Sequence, residues 1–444
     1  MLRSLPILAI CAHSYLSAQI IHGSIQGVPE GCLLVLHENF GTRILPLDSV
    51  SLDAAGRFAF TASSYPTGFY QLAINDTDRV DIILSSAEPE LKLSCSATPL
   101  QEHITILISE ENRRLWSYKA ISREAQLRIA AAETSRSEAD PMDLELIQTQ
   151  DSIILEARAF KDAALLEVVR NAPTSYFAKV IMAGKQLDAL RGVDPMLVLT
   201  SFPFDDPSLV RSSVYPQAVM TFLRNLSPES ETQFIGASDT LITLASGHPQ
   251  CRKAMIAHLL DVLGTYGPDL PFQHIVDRYL TDPGVVSDLP AEIKDKIRAF
   301  QRVTLGARAP EIELPVPGAD TLHLADIIAA HRAVLLLFYS STCDHCREQV
   351  PTLKELHAAF GGKDLAIVGI ALDDRPEDFL AFREELAIPW LCSTELLAWG
   401  ADAARAFAVQ ATPSFFLLDQ QGSIRSKPYD AVEAFRDVQD LLQM

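Results

Sequence analysis

Apolar residues recur along this chain with three different spacings, and the changes of spacing divide it. Between residues 19 and 104, short apolar runs are separated by turn residues roughly every ten positions, the rhythm of a β sandwich. Cys32-Leu33-Leu34-Val35-Leu36, Arg57-Phe58-Ala59-Phe60, Phe69-Tyr70-Gln71-Leu72-Ala73-Ile74 and Val80-Asp81-Ile82-Ile83-Leu84 predict strands. Asp53-Ala54-Ala55-Gly56 predicts a hairpin turn with glycine at a position of positive φ. Together they predict a small antiparallel β sandwich. From 105 to 303 the spacing turns helical: Met255, Ile256, Leu259, Leu260 and Leu263 share one face, and Ile147, Ile154, Ala157 and Leu165 sample another. Pro173, Pro249, Pro268, Pro283 and Pro290 fall at breaks between helices. From 304 to 444 strands and helices alternate. A strand over 333–339, a helix over 344–360 and a strand over 365–371 form a right-handed βαβ unit. A helix over Pro376–Leu386, a strand over Ser414–Leu418, the turn Asp419-Gln420-Gln421-Gly422, a short strand and a helix over Ala431–Leu442 follow.

A chain of 444 residues exceeds what one core usually supports, in keeping with three regions. The net charge of −20 argues against nucleic acid or an anionic membrane surface as a partner. Residues 1–18 read as a signal peptide: Arg3 supplies the positive start, Leu5–Ala12 is mostly apolar, and Leu16-Ser17-Ala18 offers small residues for cleavage before Gln19. The mature protein is therefore expected to be exported and periplasm-facing. Leu8-Ala9-Ile10-Cys11 is a poor lipid-anchor site because Ile10 is bulky, and no later segment is long and apolar enough to span a bilayer.

The chemistry concentrates at Cys343-Asp344-His345-Cys346, directly after the apolar run Val334–Tyr339. Two cysteines at i and i+3 where a strand gives way to a helix can close a disulfide ring. The unpaired N–H groups and positive dipole of the helix start favour a thiolate at the first sulfur. His345 is expected to stabilise that thiolate, Asp344 to oppose it, and Arg347 to offset Asp344 in part. Cys32, Cys95, Cys251 and Cys392 have no tight spacing and read as buried small hydrophobes, with a Cys32–Cys95 bridge left open. His103, His248, His258 and His274 are scattered and read as ordinary core or surface histidines.

Several motifs in order resemble a known family. Gly306…Ala309-Pro310-Glu311, the Cys343…Cys346 pair, Val368-Gly369-Ile370-Ala371-Leu372-Asp373-Asp374 and Ala411-Thr412-Pro413-Ser414-Phe415-Phe416-Leu417-Leu418-Asp419 resemble thioredoxin-fold proteins of the TlpA/ResA type. Asp48-Ser49-Val50, Asp53…Gly56-Arg57-Phe58 and Tyr65-Pro66…Gly68-Phe69-Tyr70 resemble the β domain that precedes such modules in exported Bacteroidetes-type proteins. The resemblance implies a thioredoxin fold over 304–444 and thiol–disulfide exchange with protein substrates. It implies Cys343 as the exposed nucleophile, Cys346 as the buried resolving thiol, and Thr412-Pro413 as a cis-proline loop whose backbone pairs with substrate. No cofactor beyond the cysteine pair and no metal is implied, and the redox partner is unspecified. Two positions depart from the pattern. Gln349 stands where relatives often carry a glutamate, leaving Glu348 as the candidate for proton transfer, and Leu337 stands where thioredoxins keep a buried aspartate. A histidine at the place of His345 is found in the strong oxidant DsbA, so a potential less reducing than thioredoxin's, about −270 mV, is expected.

Three other functions fit less well. A peroxidase of this fold would carry Pro seven and Thr three residues before the reactive cysteine, where this chain has Leu336 and Ser340. A copper-handling role could use Cys343, His345 and Cys346 but lacks a second ligand cluster. A non-catalytic scaffold would account for the long front region but not for the cysteine pair beside the proline motif.

Overall fold

The computed structural model describes residues 19–443 apart from 42, 63–64, 267–268, 282–288 and 363, so the expected signal peptide lies outside the described residues. The chain forms two compact units, one of residues up to 229 with 239–255, the other of 230–238 with 256–444.

The first unit opens with β1 (Gln19–Ile25), β2 (Leu33–Phe40), β3 (Arg43–Ser51), β4 (Arg57–Ala62), β5 (Gly68–Ala73), β6 (Arg79–Leu84) and β7 (Glu90–Cys95). A short α1 (Leu100–His103) then leads into β8 (Ile104–Ile108). They make two four-stranded sheets, ordered β4-β1-β7-β8 and β3-β2-β5-β6. Every ladder is antiparallel except β1–β7. Alternate residues face inward, as the two-residue period requires: Leu34 and Leu36, Val80, Ile82 and Leu84, Leu91 and Leu93 join Ile21, Phe58, Phe60 and Tyr70 in one core between the sheets. The predicted sandwich is present. At the turn before β4, Gly56 has φ +69°, and a Cβ there would sit 2.0 Å from the Ile25 carbonyl oxygen. Only glycine fits. Cys32 and Cys95 are separate free thiols.

The helical pattern gives α2 (Glu110–Glu138), α3 (Leu144–Asn171), α4 (Tyr176–Ala189), α5 (Pro195–Ser201), α6 (Val214–Leu226), α7 (Glu231–Ala245), α8 (Pro249–Tyr266), α9 (Asp269–Tyr279) and α10 (Ala291–Arg302). Ser109, Asp143, Ser175 and Asp194 cap α2 to α5 with side-chain oxygens that accept early helix N–H groups. Pro173 lies between α3 and α4, Pro249 begins α8 and Pro290 caps α10, while Pro268 and Pro283 fall outside the described residues.

In the second unit a ribbon of β9 (Glu313–Leu314) and β10 (Leu322–His323) leads through α11 (Leu324–Ala330) to a five-stranded sheet. Its strands are β11 (Ala333–Tyr339), β12 (Leu365–Ala371), β13 (Leu391–Thr394), β14 (Ser414–Asp419) and β15 (Ile424–Ser426), ordered β13-β12-β11-β14-β15. β11, β12 and β13 are parallel, and β14 and β15 are antiparallel to their neighbours. α12 (Asp344–Phe360), α13 (Pro376–Glu385) and α15 (Ala431–Gln443) pack on one face, with α11 and α14 (Asp402–Ala406) on the other. This is the thioredoxin-like α/β architecture expected for the C-terminal region. Lys427, just past β15, lies 2.5 Å from the Asp269 carboxylate, 4.8 Å from the centre of the Phe300 ring and 5.4 Å from that of Phe416. It ties α9 and α10 to the sheet.

His258, on α8, is 4% exposed, and neither ring nitrogen finds a hydrogen-bond partner among the described residues. Burial pulls its pKa down to about 4, weakly opposed by Asp261 on the same helix. The unfolded chain therefore takes up this proton first as the pH falls from about 6.5. The expected outcome is a loss of about 3 kcal/mol of stability between pH 7 and pH 4 from this one residue, at about 1.4 kcal/mol per pKa unit. Urea titrations of wild type and His258→Leu across that range measure it as the difference between their pH slopes.

Candidate functional site

β11 delivers the chain to the edge of the sheet, and Cys343 becomes the N-cap of α12. Its Sγ accepts the Cys346 N–H at 3.3 Å, and its carbonyl accepts the N–H groups of Cys346 at 3.1 Å and Arg347 at 3.2 Å. A sulfur in the cap position takes the place of the usual Ser or Asp oxygen. The Cys343 thiol also points at the Thr412 carbonyl, 3.7 Å away. The Thr412–Pro413 peptide bond is cis, as the motif implies.

The two cysteines differ in environment. Cys343 is half-buried at the rim, whereas Cys346 is 0% exposed, in the core with Val350, Leu353 and Leu356 of the same helix. Burial pushes the Cys346 thiol up to about 12, its hydrogen bond with Cys343 adds to that, and bonds with the Ser340 backbone and Thr412 side chain oppose it. Both thiols are free.

The residues between and after them face solvent or neighbouring helices. The His345 ring turns to solvent, 82% exposed, with Nδ1 3.1 Å from Glu348 Oε2, itself 67% exposed. Glu348 therefore stands on the solvent side of α12, away from the buried Cys346. Arg347 pairs with Glu385 at 3.0 Å and lies over the Phe382 ring on α13, while Asp344 is exposed. Gln349 bridges two helices: its Oε1 accepts the Ala431 N–H at the start of α15 at 2.8 Å, and its Nε2 donates to the His345 carbonyl at 3.3 Å. A glutamate could make only the first bond. Leu337 is buried in β11 between Gly369 and Phe415.

Sequence reasoning passed over the role of Asp373. Its buried carboxylate accepts the Ser341 N–H at 2.9 Å, the Ser341 hydroxyl at 2.6 Å and the Ser340 hydroxyl at 3.3 Å, fixing the turn that carries Cys343. An acidic residue directly after the apolar run Leu365–Leu372 was the available signal. Among the described residues no cluster of three or more His, Cys, Asp or Glu side chains is arranged to hold a metal ion.

Residues 305–427 match the AhpC/TSA family. The methylamine utilization protein MauD of Paracoccus denitrificans is 32% identical over 126 residues, 28% of this chain and 58% of that protein. The chain thus spans a little over half the length of this curated relative. Among solved structures, the thioredoxin domain of a thiol-disulfide oxidoreductase from Bacteroides vulgatus is 24% identical, with 31% of this chain and 98% of that one covered and a TM-score of 0.29. A thiol:disulfide interchange protein from a Bacteroides species is 23% identical, with 32% and 92% covered and a TM-score of 0.29. A thiol-disulfide oxidoreductase from Bacteroides fragilis is 24% identical, with 30% and 98% covered and a TM-score of 0.29. The match to the AhpC/TSA family takes in β9 to β15 together with Cys343, Cys346, Asp373 and Thr412-Pro413.

Proposed function

We propose that the chain is an exported thiol–disulfide oxidoreductase that exchanges disulfides with protein substrates through Cys343 and Cys346, using no other cofactor. The observation that carries this reading is the contrast within the pair: one sulfur at the rim, on the helix N-terminus and facing the Thr412 carbonyl, the other buried directly behind it. Residues 304–444 form the redox module in this reading, with the sandwich of 19–104 and the helices of 105–303 as its front region.

In the reducing direction the Cys343 thiolate attacks one sulfur of a substrate disulfide. The other substrate sulfur leaves as a thiolate and takes a proton from water. Cys346 then loses its proton and attacks Cys343 Sγ, releasing the second substrate sulfur. The enzyme pair ends as a disulfide, oxidised by two electrons, and the substrate as two thiols. Oxidation of a substrate dithiol is the same sequence reversed. Thr412 and Pro413 line the approach, and the Thr412 backbone offers strand-like pairing to the substrate chain.

Because Cys346 is held protonated, resolution depends on a thiolate that is scarce at neutral pH. Burial remains in the mixed disulfide, so the resolution rate is expected to rise about tenfold per pH unit for as long as the buried Cys346 thiol stays mostly protonated. Cys346→Ala is expected to accumulate the mixed disulfide, and Cys343→Ala to form none. Acid-quenched single-turnover mass spectrometry with a disulfide peptide reads both, and a pH-independent resolution rate would show that another group already holds the Cys346 proton.

Asp344 and His345 sit where tuning of the couple is expected, yet the imidazole faces Glu348 and solvent. His345→Ala is accordingly expected to shift the equilibrium potential by less than about 30 mV, which is about 1.4 kcal/mol for a two-electron couple. Titration in glutathione buffers measures this, and a larger fall toward thioredoxin's value would restore direct contact between His345 and the thiolate in solution.

A further inference from the structure

The C-terminal ends of parallel β11, β12 and β13 and the start of antiparallel β14 lie along one edge of the sheet. Cys343 follows β11 at that edge, and the turn Glu395–Ala401 follows β13 there. This turn is closely held. The Glu395 carboxylate accepts the N–H groups of Asp402 at 2.8 Å and Ala403 at 3.0 Å, and the Leu396 N–H donates to Thr394 Oγ1 at 3.2 Å. The Ala398 N–H donates to the Asp373 carbonyl at 3.2 Å, and the Gly400 N–H to the Leu397 carbonyl at 2.8 Å. Leu396 and Ala398 have φ of +53° and +48°, a region that residues with side chains rarely adopt.

Within this fixed and strained turn, Leu397 is 58% exposed and Trp399 52%. Large apolar side chains are usually left in water singly, but here two are presented together by one rigid segment. Asp373 links them to the site. Its carbonyl holds Ala398 of the turn, and its carboxylate holds Ser341, two residues before Cys343. The exposed side chains next to Cys343 in sequence, Thr342, Asp344, His345 and Glu348, are polar or charged and offer an apolar partner little.

We propose that Leu397 and Trp399 form a docking pad for apolar side chains flanking the reactive cysteine of a protein substrate. The inference deepens the thiol–disulfide exchange reading above and rests on it. It also defines the substrate class. A cysteine flanked by large apolar residues is buried in a folded protein, so a segment able to reach both Cys343 and the pad is extended and unfolded or not yet folded. Its backbone pairs at Thr412 while its apolar residue covers the pad.

The test uses the full chain, fully reduced, and two peptides that each contain one internal disulfide, with leucine or with glycine on both sides of each cysteine. Stopped-flow Trp fluorescence or quenched mass spectrometry gives the second-order rate constants. Wild type is expected to prefer the leucine peptide. That preference is expected to fall about tenfold in Trp399→Ala and in Leu397→Ala, the size expected for one partly buried apolar side chain. It should persist in Leu380→Ala, a 45% exposed leucine on α13. The pad is overturned if wild type shows no preference, if both pad variants keep it, or if Leu380→Ala loses it equally. No exchange with either peptide in wild type would overturn the exchange reading itself, and the pad with it.

Discussion

Everything at the site depends on the burial of β11 on both faces. All seven of its residues are at most 2% exposed. Leu335, Leu337 and Tyr339 face α12, α13 and α15, while Val334, Leu336 and Phe338 face the opposite core. Neighbours on both sides lock the register, because a slip of one residue would exchange the two sets and break both ladders. The point where the chain leaves the sheet is thereby fixed. α12 then packs Val350, Leu353 and Leu356 onto the same face. Cys346, one turn before Val350, falls on that buried stripe, and Cys343, one turn earlier, falls at its end. The unequal exposure of the two sulfurs follows from helix packing and needs no special device.

What lies beyond the strand ends is held by carboxylates as well as by apolar residues such as Leu372 and Ala401. A buried carboxylate is costly unless its oxygens are satisfied, so a carboxylate at a turn selects the conformation that supplies donors. Asp373 does this for the turn before Cys343. Glu395, only half-buried, likewise accepts the first N–H groups of α14. In the first unit Glu88 accepts the N–H groups of Glu110 and Glu111 at the start of α2, and Glu111 in turn accepts those of Tyr176 and Phe177 at the start of α4. One acid in each case replaces the lost hydrogen bonds of a helix or turn terminus.

The sequence made some of this legible and not the rest, for physical reasons. The limits of β11, α12 and β12 emerge at once because a seven-residue apolar run and a helical stripe differ plainly in period. β3, β9 and β10 stay hidden: β3 is an exposed edge strand whose Asp48-Ser49 interrupts the alternation, and β9 and β10 are two residues each. Gly56 is readable from its turn because the backbone itself demands it. At the site, Cys343, Cys346 and Thr412-Pro413 come together as their motifs imply. His345 and Glu348 illustrate the opposite case. At i and i+3 on a helix they meet each other, as that spacing allows. Arg347 finds Glu385 and Phe382 on α13, a tertiary contact that no local spacing announces.

The same placements bear on how the proposed exchange would proceed. A resolving thiol pushed up to about 12 needs a proton acceptor, and the positions where one is expected are filled otherwise. Leu337 is apolar and buried, Gln349 is committed to the α15 start, and Glu348 is paired outside. The groups bonded to Cys346 are Cys343, Ser340 and Thr412, and none of them is a carboxylate. Once Cys343 is engaged in a mixed disulfide, it can no longer share a proton with Cys346, and the rim where Cys343 meets solvent would be the exit. In the proposed exchange a substrate lying over that rim would control the exit. Attack would thus be governed by exposure at the helix cap and resolution by how completely the bound chain covers the site. A segment that pairs at Thr412 but covers the rim loosely would be resolved sooner than one that seals it.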